Sequence, residues 1–161
     1  MAIAFSSSEL IDIAIGIEKR GIAFYDVIAR STEKTGTRQL FQYLSDMERE
    51  HLLVFQNMAV SVKSYEPAEN YPEEYTGYLE AIIDSAVFTD ELVSSETVAR
   101  ISNHREALDL GISIEKDSIL FYYEMRDMMP AQAQPAVNQI ISEEKSHLKQ
   151  LSELKKKLLS H

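Results

Sequence analysis

No cysteine occurs among the 161 residues. Disulfide scaffolds, zinc ribbons, thiolate-held iron–sulfur clusters and thiol catalysis are excluded with it. The absence accords with a reducing cytoplasm, where we expect the protein to reside. Glycine and proline are scarce, at five and four residues, too few for the many tight turns of a β-sandwich. Positive charge is short as well: 16 Lys and Arg stand against 26 Asp and Glu, a formal net charge of −10. Neutralising phosphates takes clustered Lys and Arg, so no nucleic-acid partner is expected. Nor does any apolar run look long enough to span a bilayer. The stretch MAIAFSSSELIDIAIGIEKR lacks a basic leader and is interrupted by Glu9 and Asp12. It reads as the start of a helix, not as a secretory signal. Lys155 to Lys157 read as cations favoured at a helix C-terminus, not as a membrane anchor.

What is present is the material of a core. Hydrophobic residues make up 45% and charged residues 26% of an 18.3 kDa chain, the mix of one globular domain over residues 1–161. The apolar period is 3.6 almost throughout, so the class is all-α. A first helix carries Leu10, Ile11, Ala14, Ile15, Ile22, Tyr25, Ile28 and Ala29 on one face, with Ser6 and Glu9 placed as a capping box. The polar stretch Ser31–Thr37, containing Gly36, should end it. A second helix shows Leu40, Phe41, Leu44, Met47, Leu52, Phe55 and Met58. A third begins near Ser102 or Asn103, Asn103 and Glu106 forming a second box, and shows Leu108, Ile112, Ile119, Tyr122, Met125 and Met129. Pro130 and Pro135 break the chain, Pro135 sitting in the first turn of a last helix. That helix carries Val137, Ile140, Ile141, Leu148, Leu151, Leu154 and Leu158. About forty residues separate the second and third helices. Within them TGYLEAIIDSAVF keeps helical spacing and reads as a short extra helix, which removes an otherwise implausibly long loop. Two hairpins joined by one long crossover is the topology of a ferritin-like four-helix bundle.

The two hairpins are copies. GIEKRGIAFY (Gly16–Tyr25) aligns with SIEKDSILFY (Ser113–Tyr122) at an offset of 97, with six of ten positions identical. DMEREHL (Asp46–Leu52) aligns with SEEKSHL (Ser142–Leu148) at an offset of 96, and Glu, His and Leu recur. A pseudo-twofold axis follows, and a site on it would receive one set of groups from each half.

Charge sits where the stripes should be apolar. Glu18 falls between Ile15 and Ile22, and Glu115 between Ile112 and Ile119. Glu48 and His51 interrupt the second stripe, and Glu144 and His147 the last. A carboxylate ionised alone in a low-dielectric interior costs on the order of several kcal/mol, and four together repel one another. Glu-x-x-His sets both side chains one turn apart on one face, within reach of one ion. In an antiparallel hairpin, residues symmetric about the turn lie level. The midpoint of Glu18 and Glu48 falls at Glu33, inside the first turn, and that of Glu115 and Glu144 beside Pro130. Two divalent ions would balance the four carboxylates and bring the net charge from −10 to −6. Oxygen and nitrogen donors without sulfur suit iron or manganese, and also accommodate zinc. A pair of ions would sit about 3.5–4 Å apart.

A glutamate and a Glu-x-x-His in each of two copied hairpins resembles the ferritin-like di-iron carboxylate superfamily, and within it the rubrerythrin-like proteins, over about residues 6–159. The resemblance implies that Glu18, Glu48, His51, Glu115, Glu144 and His147 are metal ligands, with Glu48 and Glu144 bridging two iron ions. It implies a ferrous pair reacting with peroxide or dioxygen, and above all a peroxidase active against oxidative stress. Ferroxidase with iron storage or transfer is the alternative; an oxygenase and a non-catalytic interaction bundle rank lower. Two departures stand out. Rubrerythrins commonly carry a further carboxylate three residues after the third-helix glutamate; here that position is Ser118, and its counterpart in the first helix is Gly21. These small residues would leave room for an oxidant. Rubrerythrins also carry a four-cysteine rubredoxin-type iron site, which a chain without cysteine cannot make. Electrons would come from an external donor such as a rubredoxin-like protein, and a homodimer is the expected assembly.

Tyr25 and Tyr122 lie seven residues after Glu18 and Glu115, with hydroxyls leaning back toward the site. They read equally as hydrogen-bond donors to the carboxylates and as core packing. Phe24 and Phe121 read as core, His104 as a surface histidine at a helix start, and Glu50 and Glu143 as solvent-facing. His161 reads as a disordered terminus. Tyr65, Tyr71, Tyr75 and Tyr78 could cover the bundle or meet a partner copy, and residues 60–100 have no assigned role.

Overall fold

A computed structural model describes residues 6–62, 73–85 and 104–160. Five helices account for nearly all of them: α1 (Ser7–Ser31), α2 (Thr35–Val62), α3 (Glu73–Ser85), α4 (His104–Met128) and α5 (Gln134–Leu159). No strand occurs among the described residues, and no helix of theirs is long and apolar enough to cross a membrane. The architecture is the ferritin-like bundle expected from the repeat. α1 packs along α2 and α4 along α5, the two hairpins meet through α1–α4 and α2–α5 contacts, and α3 packs on α4.

The start of α1 is set by its capping box. The Ser6 hydroxyl accepts from the Glu9 backbone N–H at 3.1 Å, and the Glu9 carboxylate accepts from the Ser6 N–H at 2.7 Å, which satisfies two otherwise unpaired donors. Pro135 lies in the first turn of α5, and Lys156 and Lys157 occupy its last turn. Both ends of the α1–α4 pair are pinned. Ser7 Oγ donates to Met128 O at 3.3 Å, and Thr32 Oγ1 meets His104 Nε2 at 2.5 Å. These ties hold the two helices antiparallel and in register, so their inward-facing residues come level.

Three expectations need correction. The first turn is shorter than Ser31–Thr37: only Thr32, Glu33 and Lys34 connect the helices, and Gly36 lies in the first turn of α2 without positive φ. The Arg38 guanidinium closes this connection by donating twice to Thr32 O, at 2.8 and 3.1 Å. The crossover helix starts earlier than Thr76, at Glu73, and residues after Ser85 lie outside the described set. Leu79 and Ile82 turn inward as expected, whereas Tyr78 is exposed. Finally, the buried arcs of α1 and α4 are rotated alike. Ile17 and Phe24, with Ile114 and Phe121, are buried, while Ile15, Ile22, Ile112 and Ile119 are only partly covered. The crossover explains part of this: Ile82 and Ile83 share one small cavity with Ile17 and Phe121, so α3 covers that side. The helix start near Ser102 or Asn103, Tyr65, Tyr71, the side chain of Tyr75, and His161 lie outside the described residues.

Candidate metal centre

All four long helices deliver charge to one buried level. α1 supplies Glu18, α2 Glu48 and His51, α4 Glu115, and α5 Glu144 and His147; none is more than 5% exposed. The i, i+3 spacing puts each His beside its own Glu on one helix face. His51 Nδ1 stands 3.1 Å from Glu144 Oε1 and 3.7 Å from both Glu18 Oε2 and Glu48 Oε2. His147 Nδ1 stands 3.0 Å from Glu144 Oε2, 3.5 Å from Glu48 Oε1 and 3.7 Å from Glu115 Oε2. The two imidazoles stack with centroids 5.7 Å apart.

The donors fall into two quartets. One is Glu18, Glu48, His51 and Glu144; the other is Glu48, Glu115, Glu144 and His147. Within each, one donor atom from every residue lies within 4.8 Å of the others. Glu48 and Glu144 belong to both, so each has the position from which a carboxylate can bridge two ions. Each of the six residues also keeps one buried polar atom with no hydrogen bond: Glu18 Oε2, Glu48 Oε1, His51 Nδ1, Glu115 Oε2, Glu144 Oε1 and His147 Nε2. Buried polar atoms are ordinarily paired. Five of these orphans lie in the cluster, while His147 turns Nδ1 inward and keeps Nε2 on its outer side. This set of six residues fits a pair of cations, and the O/N donor set fits first-row metals that favour carboxylate and imidazole.

Taken by themselves, the side chains balance their charge with protons. Burial, and then repulsion by Glu48, holds the Glu18 carboxyl well above the usual carboxylate range. Burial, then the charges of Glu144 and Glu48, does the same to Glu115. For Glu48, burial and the Glu144 charge push upward, but the polar groups of Glu18, His147 and His51 close around it outweigh them and leave it lowered. In Glu144, burial is outweighed by the neighbouring His147, His51 and Glu115, and the carboxyl is lowered further. Burial opposes protonation of the imidazoles, yet surrounding carboxylates raise both, His147 to about 12 and His51 further.

Tyr25 and Tyr122 resolve the choice left open between packing and hydrogen bonding. Both are fully buried, and each hydroxyl donates across the pseudo-twofold axis: Tyr25 to Glu115 Oε1, Tyr122 to Glu18 Oε1. Burial, and then the adjacent carboxylate charge, raises both phenols well above their usual range, so they stay protonated donors. Such bonds orient a carboxylate and leave its second oxygen free. Phe24 and Phe121 are core, stacked edge-on to these tyrosines. His104 meets Thr32 and lies outside the cluster.

Two readings change. Glu143 is not simply solvent-facing. It is about one-third exposed, and its Oε2 accepts from His51 Nε2 at 2.8 Å. It adjoins Glu144 in sequence and reaches α2 from α5, a contact between hairpins that the period of one helix does not encode. Gly21 opens little more than the space of one methyl group: a Cβ there would stand in ordinary contact with Glu48 Cγ at 3.5 Å. Ser118 does border a cavity of about 40 Å³, lined also by Ile13, Ile17, Ile82, Ile83 and Phe121 and by the charged Arg20 and Asp117. Its hydroxyl is turned back to Ile114 O at 2.9 Å.

The bundle and its paired Glu/Glu-x-x-His quartets define the class of di-metal carboxylate proteins. Comparison with known proteins narrows this. The rubrerythrin family model matches residues 9–155. A crystal structure from Thermotoga maritima, described as that of a ferritin-like diiron-carboxylate protein, is similar with a TM-score of 0.71 and 32% identity, covering 94% of this chain and 95% of that one. No curated protein sequence matches. The chain belongs to the rubrerythrin family.

Proposed function

We propose that the protein is a di-iron peroxidase, reducing hydrogen peroxide to water with two electrons and two protons. The observation that carries this reading is the convergence of six buried donor residues from four helices in two quartets sharing Glu48 and Glu144. When bound, a ferrous pair supplies both electrons at one place. The chain's part is the geometry around it. Glu48 and Glu144, common to both quartets, would hold the pair together, and Glu18 with His51 and Glu115 with His147 would complete each position. Tyr25 and Tyr122 hold protons at Glu115 and Glu18 and fix those carboxylates against rotation. Closely packed aromatic rings of Phe55 against Tyr122 and of Phe41 against Tyr25 limit water around both hydroxyls.

Without cysteine, the chain has no thiolate-held iron of its own, so the electrons are supplied by a separate donor. A rubredoxin-like protein, a homodimeric assembly and a cytoplasmic setting complete the reading. The test is anaerobic reconstitution with ferrous iron followed by peroxide. Two ferric ions per peroxide, formed faster than from free ferrous iron, is the expected result. Oxidation no faster than that of free iron overturns it. Rapid oxidation by dioxygen alone, in an assembly with the mass of a hollow shell, would establish iron storage instead.

A further inference from the structure

The outer nitrogens of the two histidines are treated differently. His51 Nε2 donates to Glu143 Oε2 at 2.8 Å, and Gln139 Nε2 donates to Glu143 Oε1 at 2.7 Å. The carboxylate is thereby anchored on both oxygens. The bond keeps the His51 proton on Nε2 and leaves Nδ1 as the donor facing Glu18, Glu48 and Glu144. His147 Nε2 has no hydrogen bond at all. Its ring meets instead the edge of the Tyr43 ring, with centroids 6.0 Å apart. The repeat shows where the difference arises. At the offset of 96, Glu143 corresponds to Met47 and Gln139 to Tyr43. One hairpin presents an amide and a carboxylate to its neighbour's histidine. The other presents a phenol ring and has a thioether at the carboxylate's position.

A carboxylate on the far nitrogen fixes an imidazole's orientation and raises its basicity as a ligand, commonly worth about 10–100-fold in metal affinity. We propose that Glu143 is a positioning residue that makes the two ion positions unequal: the one served by Glu18 and His51 binds a divalent cation more tightly, and fills first, than the one served by Glu115 and His147. The proposal rests on reading the quartets as cation sites. It predicts an intermediate with one ion in place, the second ion being the exchangeable one.

The test is calorimetric titration of the metal-free full chain with Co(II), with the thermal melt of each metal-free variant as a folding control. The native chain should take up two ions in separate steps. Glu143→Gln should weaken the tight step about 10–100-fold and leave the weak step nearly in place. Met47→Glu, which offers His147 the missing acceptor, should strengthen the weak step and narrow the gap. Equal steps in the native chain overturn the proposal. So does a Glu143→Gln chain in which both steps move together or neither moves, or a Met47→Glu chain whose weak step stays put; in each case two ions still bind and the di-metal reading stands. Failure of the native chain to bind Co(II) overturns both.

Discussion

The α1–α2 and α4–α5 hairpins are two solutions to one problem, and they differ in an orderly way. Residues that reach the cluster recur in both: Glu18 and Glu115, Glu48 and Glu144, His51 and His147, Tyr25 and Tyr122. Residues that tie one helix to its neighbour farther out have been exchanged. In the first hairpin Arg49 pairs with Asp26 at 2.6 Å, and Ser45 donates to the same carboxylate at 2.5 Å. At the matching positions the second hairpin has Lys145 and Tyr123, joined by a hydrogen bond from the ammonium to the phenol oxygen. An ion pair and a hydrogen bond thus do the same mechanical work. The inner constellation has no such freedom, because each of its members must place one donor atom at a fixed point. Chemistry is interchangeable where the requirement is adhesion, and not where it is coordination.

The comparison breaks most severely at the two shared carboxylates. Glu48 and Glu144 are the members common to both quartets, so Glu144→Ala should weaken uptake of both ions, each by more than about 100-fold, since losing a ligand exceeds the loss of an outer partner. Glu115→Ala should remove one ion only. Metal counted per chain after equilibrium dialysis distinguishes the two outcomes. Equal losses from both variants would mean that the bridging positions are not special.

Next in size is a pH effect that separates the metal-free from the loaded chain. Glu18 and Glu115 have raised carboxyls, and His51 and His147 raised imidazoles. In each case the folded chain holds a proton that the unfolded chain releases, the carboxyls above about pH 4.5 and the imidazoles above about pH 6.5. Stability of the metal-free protein should therefore fall as pH rises from 6 to 9. The lowered carboxyls of Glu48 and Glu144 act oppositely, and their contribution is lost only in acid. Cations compete for those sites with protons, so the stabilisation they add should grow over the same interval. Urea midpoints measured with and without Mn(II) at several pH values check this. A metal-free midpoint that is flat or rising between pH 6 and 9 would contradict the proton balance of the cluster.

Much of this was legible in the sequence because each helix reports its own inward face. The 3.6 period located the long helices, and the misplaced charges at Glu18, Glu48, Glu115 and Glu144 showed which face carried the site. Symmetry about each turn then put them on one level. The tolerance of that last step is instructive. The turn proved tighter than Ser31–Thr37, closed by Arg38 on Thr32, and its centre is Glu33, the midpoint of Glu18 and Glu48, so the level survived. What stayed hidden lies between hairpins. Periodicity places Glu143 at the margin of the α5 stripe but does not say that α2 lies beside it with a histidine edge exposed. The same limit applied to Tyr25 and Tyr122. Their direction could be read, but not that each serves the carboxylate of the opposite copy. The offset alignment held one usable signal for Glu143, a charged residue against Met47 at a position adjoining a ligand.

That exchange across the axis gives a sharper test of equivalence. Tyr25→Phe and Tyr122→Phe each remove one hydroxyl from a fully buried carboxyl group. Each should destabilise the metal-free chain by roughly 1.5–3 kcal/mol, the range for a hydrogen bond to a charged or strongly polarised group. The two values should agree within about 0.5 kcal/mol if the copies are mechanically equal. Chemical denaturation measures both. A large inequality would show that one hairpin, not the axis, organises the cluster.

The smallest expected effect probes the outer ties. The Arg49 side chain is 46% exposed, although its partner Asp26 is less so. Pairs of this kind are screened by solvent and contribute about 0.2–1 kcal/mol. The exposed Lys145–Tyr123 hydrogen bond belongs at the low end of about 0.5–1.5 kcal/mol. Arg49→Ala and Lys145→Ala should accordingly each lower stability by less than about 1 kcal/mol and leave metal stoichiometry at its native value. The Arg49→Ala effect should shrink in 0.5 M salt, because its contribution is chiefly Coulombic. Lys145→Ala, which removes a hydrogen bond to a neutral phenol, should be less sensitive to salt. Denaturation midpoints at two ionic strengths decide the matter. If either substitution displaced an ion, the outer ties would be part of the coordination geometry, and the division between adhesion and coordination would fail at that hairpin.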